Sequence, residues 1–150
     1  MSALPGLLIV VALSFLGAPY VWKGKGWKLW SPTGLIAHSF GRQVFDCSGL
    51  VTTSLLRAGG PDLIATHSAQ TMFDQFAEAP DPTARGVLRF YGDRQTRVTH
   101  VAICMGPVNG KVEVLEAAGG DSRTDCPKPG ACVRVGPELR RDYLGSRVLP

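Results

Sequence analysis

"VFDCSGLVTTSLLRAGG", Val44 to Gly60, places a cysteine where an amphipathic helix begins. Leu50, Val51, Leu55 and Ala58 recur at helical spacing, and Gly59-Gly60-Pro61 stops the run. A helix that only packs has no need of a thiol in its first turn. At that position unpaired N–H groups and the positive end of the helix dipole favour a thiolate, which marks Cys47 as a candidate nucleophile. Gly49 is expected to leave room for a group to approach the sulfur.

Downstream, "SAQTMFDQFAEAP" (68–80) repeats the helical pattern through Ala69, Met72, Phe73, Phe76 and Ala77, ending at Pro80. The period then changes. "VLRFY" (87–91), "VTHVAICM" (98–105), "KVEVLEA" (111–117) and "ACVRVG" (131–136) are rich in β-branched and aromatic residues and predict strands. Asn109-Gly110 between the second and third is a hairpin signal. Helices come first and an antiparallel sheet follows, so the fold class is α+β.

The chain has 150 residues, 45% of them apolar and 19% charged, with 18 Gly and 11 Pro. That is one loop-rich domain, 1–150, large enough to bury a core. A net charge of +4 favours an anionic partner such as a bacterial envelope. No Lys/Arg block is interleaved with aromatics, which argues against nucleic acid. "LPGLLIVVALSFL" (4–16) falls short of the ~20 apolar residues of a membrane span. It also lacks the basic start of a signal peptide. It is expected to form a buried first helix, and delivery to an extracellular substrate would then need another route. Four cysteines are too few for a disulfide framework in this length, although Cys126 and Cys132 bracket a turn-rich loop that a bridge would close. No Cys or His pair has zinc-ligand spacing, so neither metal nor cofactor is expected.

A thiolate nucleophile needs an acid/base partner. In "RVTHVAIC" (97–104), alternation puts His100, Ala102 and Cys104 on one strand face. Across the turn, Val112, Val114 and Glu116 share a face, where Glu116 would accept the imidazole N–H and fix its tautomer. On the residues alone, Cys47 also reads as a small buried hydrophobe and His100 as a satisfied core residue. Glu116 also reads as a strand-end carboxylate facing water.

"GAPYVWKGKG" (17–26), "FDCSGLV" (45–51), "THSAQTMF" (66–73) and "VTHVAICMG" (98–106), in that order, resemble the NlpC/p60 superfamily of cysteine peptidases. The resemblance implies a papain-like α+β fold and cleavage of amide bonds in peptidoglycan stem peptides, typically D-glutamyl to diamino acid. It makes Cys47 the nucleophile, His100 the general base and then acid, and Glu116 the orienting residue. Tyr20 is implied near the nucleophile, with Asp46 and Ser48 flanking the substrate backbone. Departures accompany it. Lys23-Gly24 stands at the family's glycine pair, and residues 24–43 form an apparent insertion, a possible lid carrying Trp27, Trp30 and His38. "RGVLRFY" (85–91) replaces the family's "PGDLVFF", without its Asp. A thiol acyltransferase and a catalytically silent wall-binding module are the alternatives on this fold. A lone catalytic domain without an export signal also fits a phage lysin, or a protein carried by a phage tail or secretion assembly.

Overall fold

A computed structural model describes residues 3–28, 43–93, 97–119, 132–140 and 142–150. The first helix, α1 (Leu4–Leu13), has proline in its opening turn, where the missing N–H costs nothing. Leu8, Ile9 and Ala12 enter the core, but Leu7 and Val10 stay 47% and 65% exposed. The helix expected to be buried therefore buries one side only. Gly17, at φ 82°, turns the chain, and its N–H donates to the Val133 carbonyl at 2.9 Å. No helix among the described residues is long and apolar enough to cross a membrane.

Next comes an unexpected antiparallel ribbon, β1 (Lys25–Lys28) with β2 (Gln43–Phe45). "KGWK" has no alternation of apolar and polar residues, so no strand signal was present to read. These strands are the two ends of the apparent insertion; Trp30 and His38 lie outside the described residues. Helix α2 (Cys47–Arg57) follows, with Leu50, Val51 and Leu55 buried.

Helix α3 (Ala69–Gln75) starts at Ser68, whose hydroxyl accepts the Thr71 N–H at 3.2 Å. It ends before Phe76 and Ala77, which the apolar spacing had included. The cause is a competing partner. Val148 N–H reaches the Ala77 carbonyl at 2.9 Å and Ala79 N–H the Ser146 carbonyl at 3.0 Å, so this backbone pairs with the sheet edge.

The sheet is antiparallel throughout, in the order β6-β5-β4-β3-β7. Its members are β3 (Leu88–Asp93), β4 (Arg97–Val108), β5 (Lys111–Ala118), β6 (Cys132–Pro137) and β7 (Tyr143–Arg147). The first four coincide with the expected strands. Asn109 at φ 51° and Gly110 at φ 78° make the tight turn between β4 and β5. β7, "YLGSR", was missed because glycine and arginine dilute its pattern. Leu88, Phe90, Val101, Ile103, Leu115 and Val133 pack with Leu8, Leu50, Leu55 and Met72 of the helices.

Arg89 and Tyr91 belong to a separate polar layer. Arg89 Nε donates to Glu138 Oε2 at 2.7 Å, the Tyr91 hydroxyl donates to the same oxygen at 2.5 Å, and the guanidinium lies 4.0 Å over the Tyr143 ring. Arg89 and Tyr91 are thus two of the three polar departures in "RGVLRFY", and they find their partner in Glu138, whereas Arg85 donates to the Met105 carbonyl. Val87, where the family pattern has Asp, packs with Ala79 and Cys104 instead.

Candidate active site

Asp46 sits in extended backbone just before α2, and its Oδ1 accepts the Gly49 N–H at 2.6 Å. This cap starts the helix at Cys47 and holds the thiol in its first turn. The Leu50 N–H is taken by the Asp46 carbonyl at 3.1 Å. The amides of Cys47 and Ser48 therefore remain for an incoming group. Gly49 has a different purpose from the one expected. A Cβ there would lie 1.9 Å from the Gly24 carbonyl oxygen, so the glycine admits the backbone before β1 and does not serve the sulfur.

His100 and Glu116 are 3% and 6% exposed, on adjacent strands of the sheet. His100 Nε2 meets Glu116 Oε1 at 2.7 Å. That bond commits Nε2, which leaves Nδ1 for the thiol. The Tyr91 ring, cross-strand neighbour of His100, lies 5.6 Å from the imidazole and braces it. The other Glu116 oxygen accepts from Arg134 Nη1. Arg134, on β6 opposite Glu116, is a functional neighbour that sequence reasoning missed. Only the β5–β6 register brings it there.

Burial alone would raise the Cys47 thiol, but the hydrogen bond with His100 and the charge of that ring outweigh it. The Val101 amide adds to them, and the thiol titrates below its ordinary value. Burial likewise opposes a charged His100, yet its bonds to Cys47 and Glu116 raise it above the ordinary imidazole range. Glu116 resists burial through His100 and Arg134 and is held below the usual carboxylate range. The three shifts run in one sense, each favouring the charged form of its group over the neutral one. Cys104 is the contrast. It is fully buried, its thiol is pushed up by that burial, and its sulfur donates to the Thr83 carbonyl at 3.4 Å.

A cleft of about 560 Å³ opens beside Cys47 and His100. Tyr20, Asp46 and Ser48 all line it, as does Trp22, whereas Trp27 does not. Burial, then the negative charges of Cys47 and Asp46, raise the Tyr20 hydroxyl far above its normal value, so the cleft sees neutral phenol. Lys25, another residue sequence reasoning missed, donates from Nζ to Asp46 Oδ1 at 2.9 Å, Asp46 Oδ2 at 3.1 Å and Ser48 Oγ at 2.7 Å. Asp46 is thus ion-paired and held within the protein. Cys132 opens β6, and Cys126 lies outside the described residues.

A thiol at a helix start facing a sheet histidine, with helices packed on an antiparallel sheet, is the papain-like α+β class. The NlpC/P60 family profile matches residues 17–128, and the chain belongs to that family. The P60 domain of an antigen from M. avium subspecies paratuberculosis is 25% identical, with a TM-score of 0.63 over 97% of this chain and 93% of that one. The peptidoglycan hydrolase RipB from Mycobacterium tuberculosis is also 25% identical, with a TM-score of 0.62 over 97% of this chain and 64% of that one. RipD from the same organism, described as a non-catalytic NlpC/p60 domain protein adapted to peptidoglycan binding, shares the fold at 24% identity. Its TM-score is 0.63, over 99% of this chain and 98% of RipD. No curated protein matches this chain in sequence. The fold therefore houses hydrolytic and silent proteins alike, and the side chains must decide between them.

Proposed function

We propose that this protein is a cysteine peptidase that hydrolyses amide bonds in peptidoglycan stem peptides, of the D-glutamyl to diamino acid type, on the bacterial cell wall. The observation that carries this reading is the relay from Cys47 to His100 and from His100 Nε2 to Glu116 at 2.7 Å. A silent wall-binding module has no need of a thiol, an imidazole and a carboxylate in register.

The Cys47 thiolate attacks the amide carbonyl carbon, forming a C–S bond and an oxyanion. The Cys47 amide, at the positive end of α2, is placed to stabilise that oxyanion. His100 then gives its proton to the departing amine as the C–N bond breaks, leaving an acyl-enzyme. Neutral His100 next takes a proton from water, the hydroxide adds to the thioester carbonyl, and the C–S bond breaks to release the acid product and return the Cys47 thiolate. Glu116 holds the ring and its charge throughout. Tyr20, Asp46 and Ser48 line the cleft; in this reading Tyr20 stands near the nucleophile, and Asp46 and Ser48, joined by the Lys25 ammonium, flank the substrate backbone.

Digestion of defined muropeptides by the purified protein, read by mass spectrometry, tests this. New D-glutamyl carboxyl and diamino acid amino termini are expected. Intact stem peptides after prolonged incubation would refute hydrolysis, and cleavage elsewhere would refute the assigned bond.

A further inference from the structure

The charges lining the cleft are one-sided. Lys23, Lys25, Arg97 and Arg140 face it, whereas Asp46 is its one carboxylate among the described residues. Lys25 already pairs with Asp46 at 2.9 Å. Lys23, Arg97 and Arg140 are exposed, and no described carboxylate pairs with them. They come from three separate segments: the turn before β1, the start of β4 three residues ahead of His100, and the stretch after β6. Converging cations with no carboxylate partner among the described residues make a site for anions, and low-dielectric walls strengthen it. Arg140 is near enough to the catalytic pair to oppose the charging of His100 and to ease ionisation of Tyr20.

We propose that the cleft selects substrates bearing a free carboxylate beside the scissile amide, and that Arg97, Arg140 and Lys23 are the specificity-determining residues. The proposal rests on the stem-peptide reading above and sharpens it. A carboxamide keeps the shape but loses the charge and turns one acceptor oxygen into an N–H donor. A guanidinium binds a carboxylate through two parallel, charge-assisted hydrogen bonds, which a carboxamide cannot reproduce. With Asp46 held by Lys25, no other carboxylate among the described lining residues would reward a cationic substrate instead.

A matched pair of muropeptides, differing only in carboxylate against carboxamide at that position, tests it. The wild-type protein is expected to favour the free acid by about 10-fold or more in kcat/KM, with the preference shrinking as salt rises. In the Arg97→Gln/Arg140→Gln protein, the ratio should fall toward one. Calorimetric binding of both peptides to the Cys47→Ala protein gives the same comparison without turnover. If neither peptide is cleaved but the free acid binds tighter, the hydrolase reading fails and the selectivity stands. Equal cleavage and equal binding of the two peptides by the wild-type frame would overturn it.

Discussion

Replacing Cys47 with alanine is expected to remove hydrolysis of muropeptides while leaving the thermal unfolding midpoint close to that of the unaltered protein. The loss should be roughly 10⁴-fold or more, because a nucleophile has no substitute in a covalent route. Folding should survive for a structural reason. Helix α2 is started by the Asp46 cap and held by Leu50, Val51 and Leu55, none of which depends on the sulfur. Turnover assays paired with a melting curve separate the two effects. Near-normal cleavage by the alanine variant would end the cysteine-peptidase reading, whatever the fold.

Glu116 carries the second large effect. Glu116→Gln keeps an acceptor for His100 but loses the charge that stabilises the imidazolium; Glu116→Ala loses both. Rates should fall in the order wild type, Gln, Ala, with Ala down by roughly 10²-fold or more. The pH profile adds a sign. Bonding to Glu116 is one cause of the raised His100 value, so its removal lets the ring lose its proton at lower pH. The active thiolate–imidazolium pair exists above the lowered Cys47 value and below the raised His100 value. The alkaline limb of kcat/KM should therefore move down in Glu116→Ala while Cys47 remains required. A merely structural carboxylate would not move that limb. Unchanged kcat/KM from about pH 5 to about pH 9 would show that His100 works without Glu116.

Local signals explain why much of this arrangement was legible. The α2 start is written in "DCSG", since Asp is a strong cap and the glycine run ends the helix cleanly. Four strands and the β4–β5 turn follow from alternation and from Asn109-Gly110. That one turn carries Glu116 to His100, because the strands it joins must pair. What escaped depends on distant partners. Arg134 is an ordinary charged strand residue until β6 is placed beside β5. Lys25 enters the site only because β1 folds over the start of α2, and the space for that comes from Gly49, whose purpose the sequence alone misdirected. The early end of α3 is of the same kind, since Ala77 and Ala79 bond to the β7 edge and its onward chain, and local periodicity cannot register that competition.

The rate at which iodoacetamide alkylates Cys47, followed across pH, reads the charge of the nucleophile with no substrate present. Peptide mapping separates Cys47, half-buried at the cleft, from the other thiols. A thiolate held by His100 and the α2 N-terminus should react with an apparent pKa well below the ordinary thiol value of about 8.5. In His100→Ala that value should rise toward the ordinary one. Alkylation that begins only near or above about 8.5, and is the same in His100→Ala, would contradict an activated Cys47.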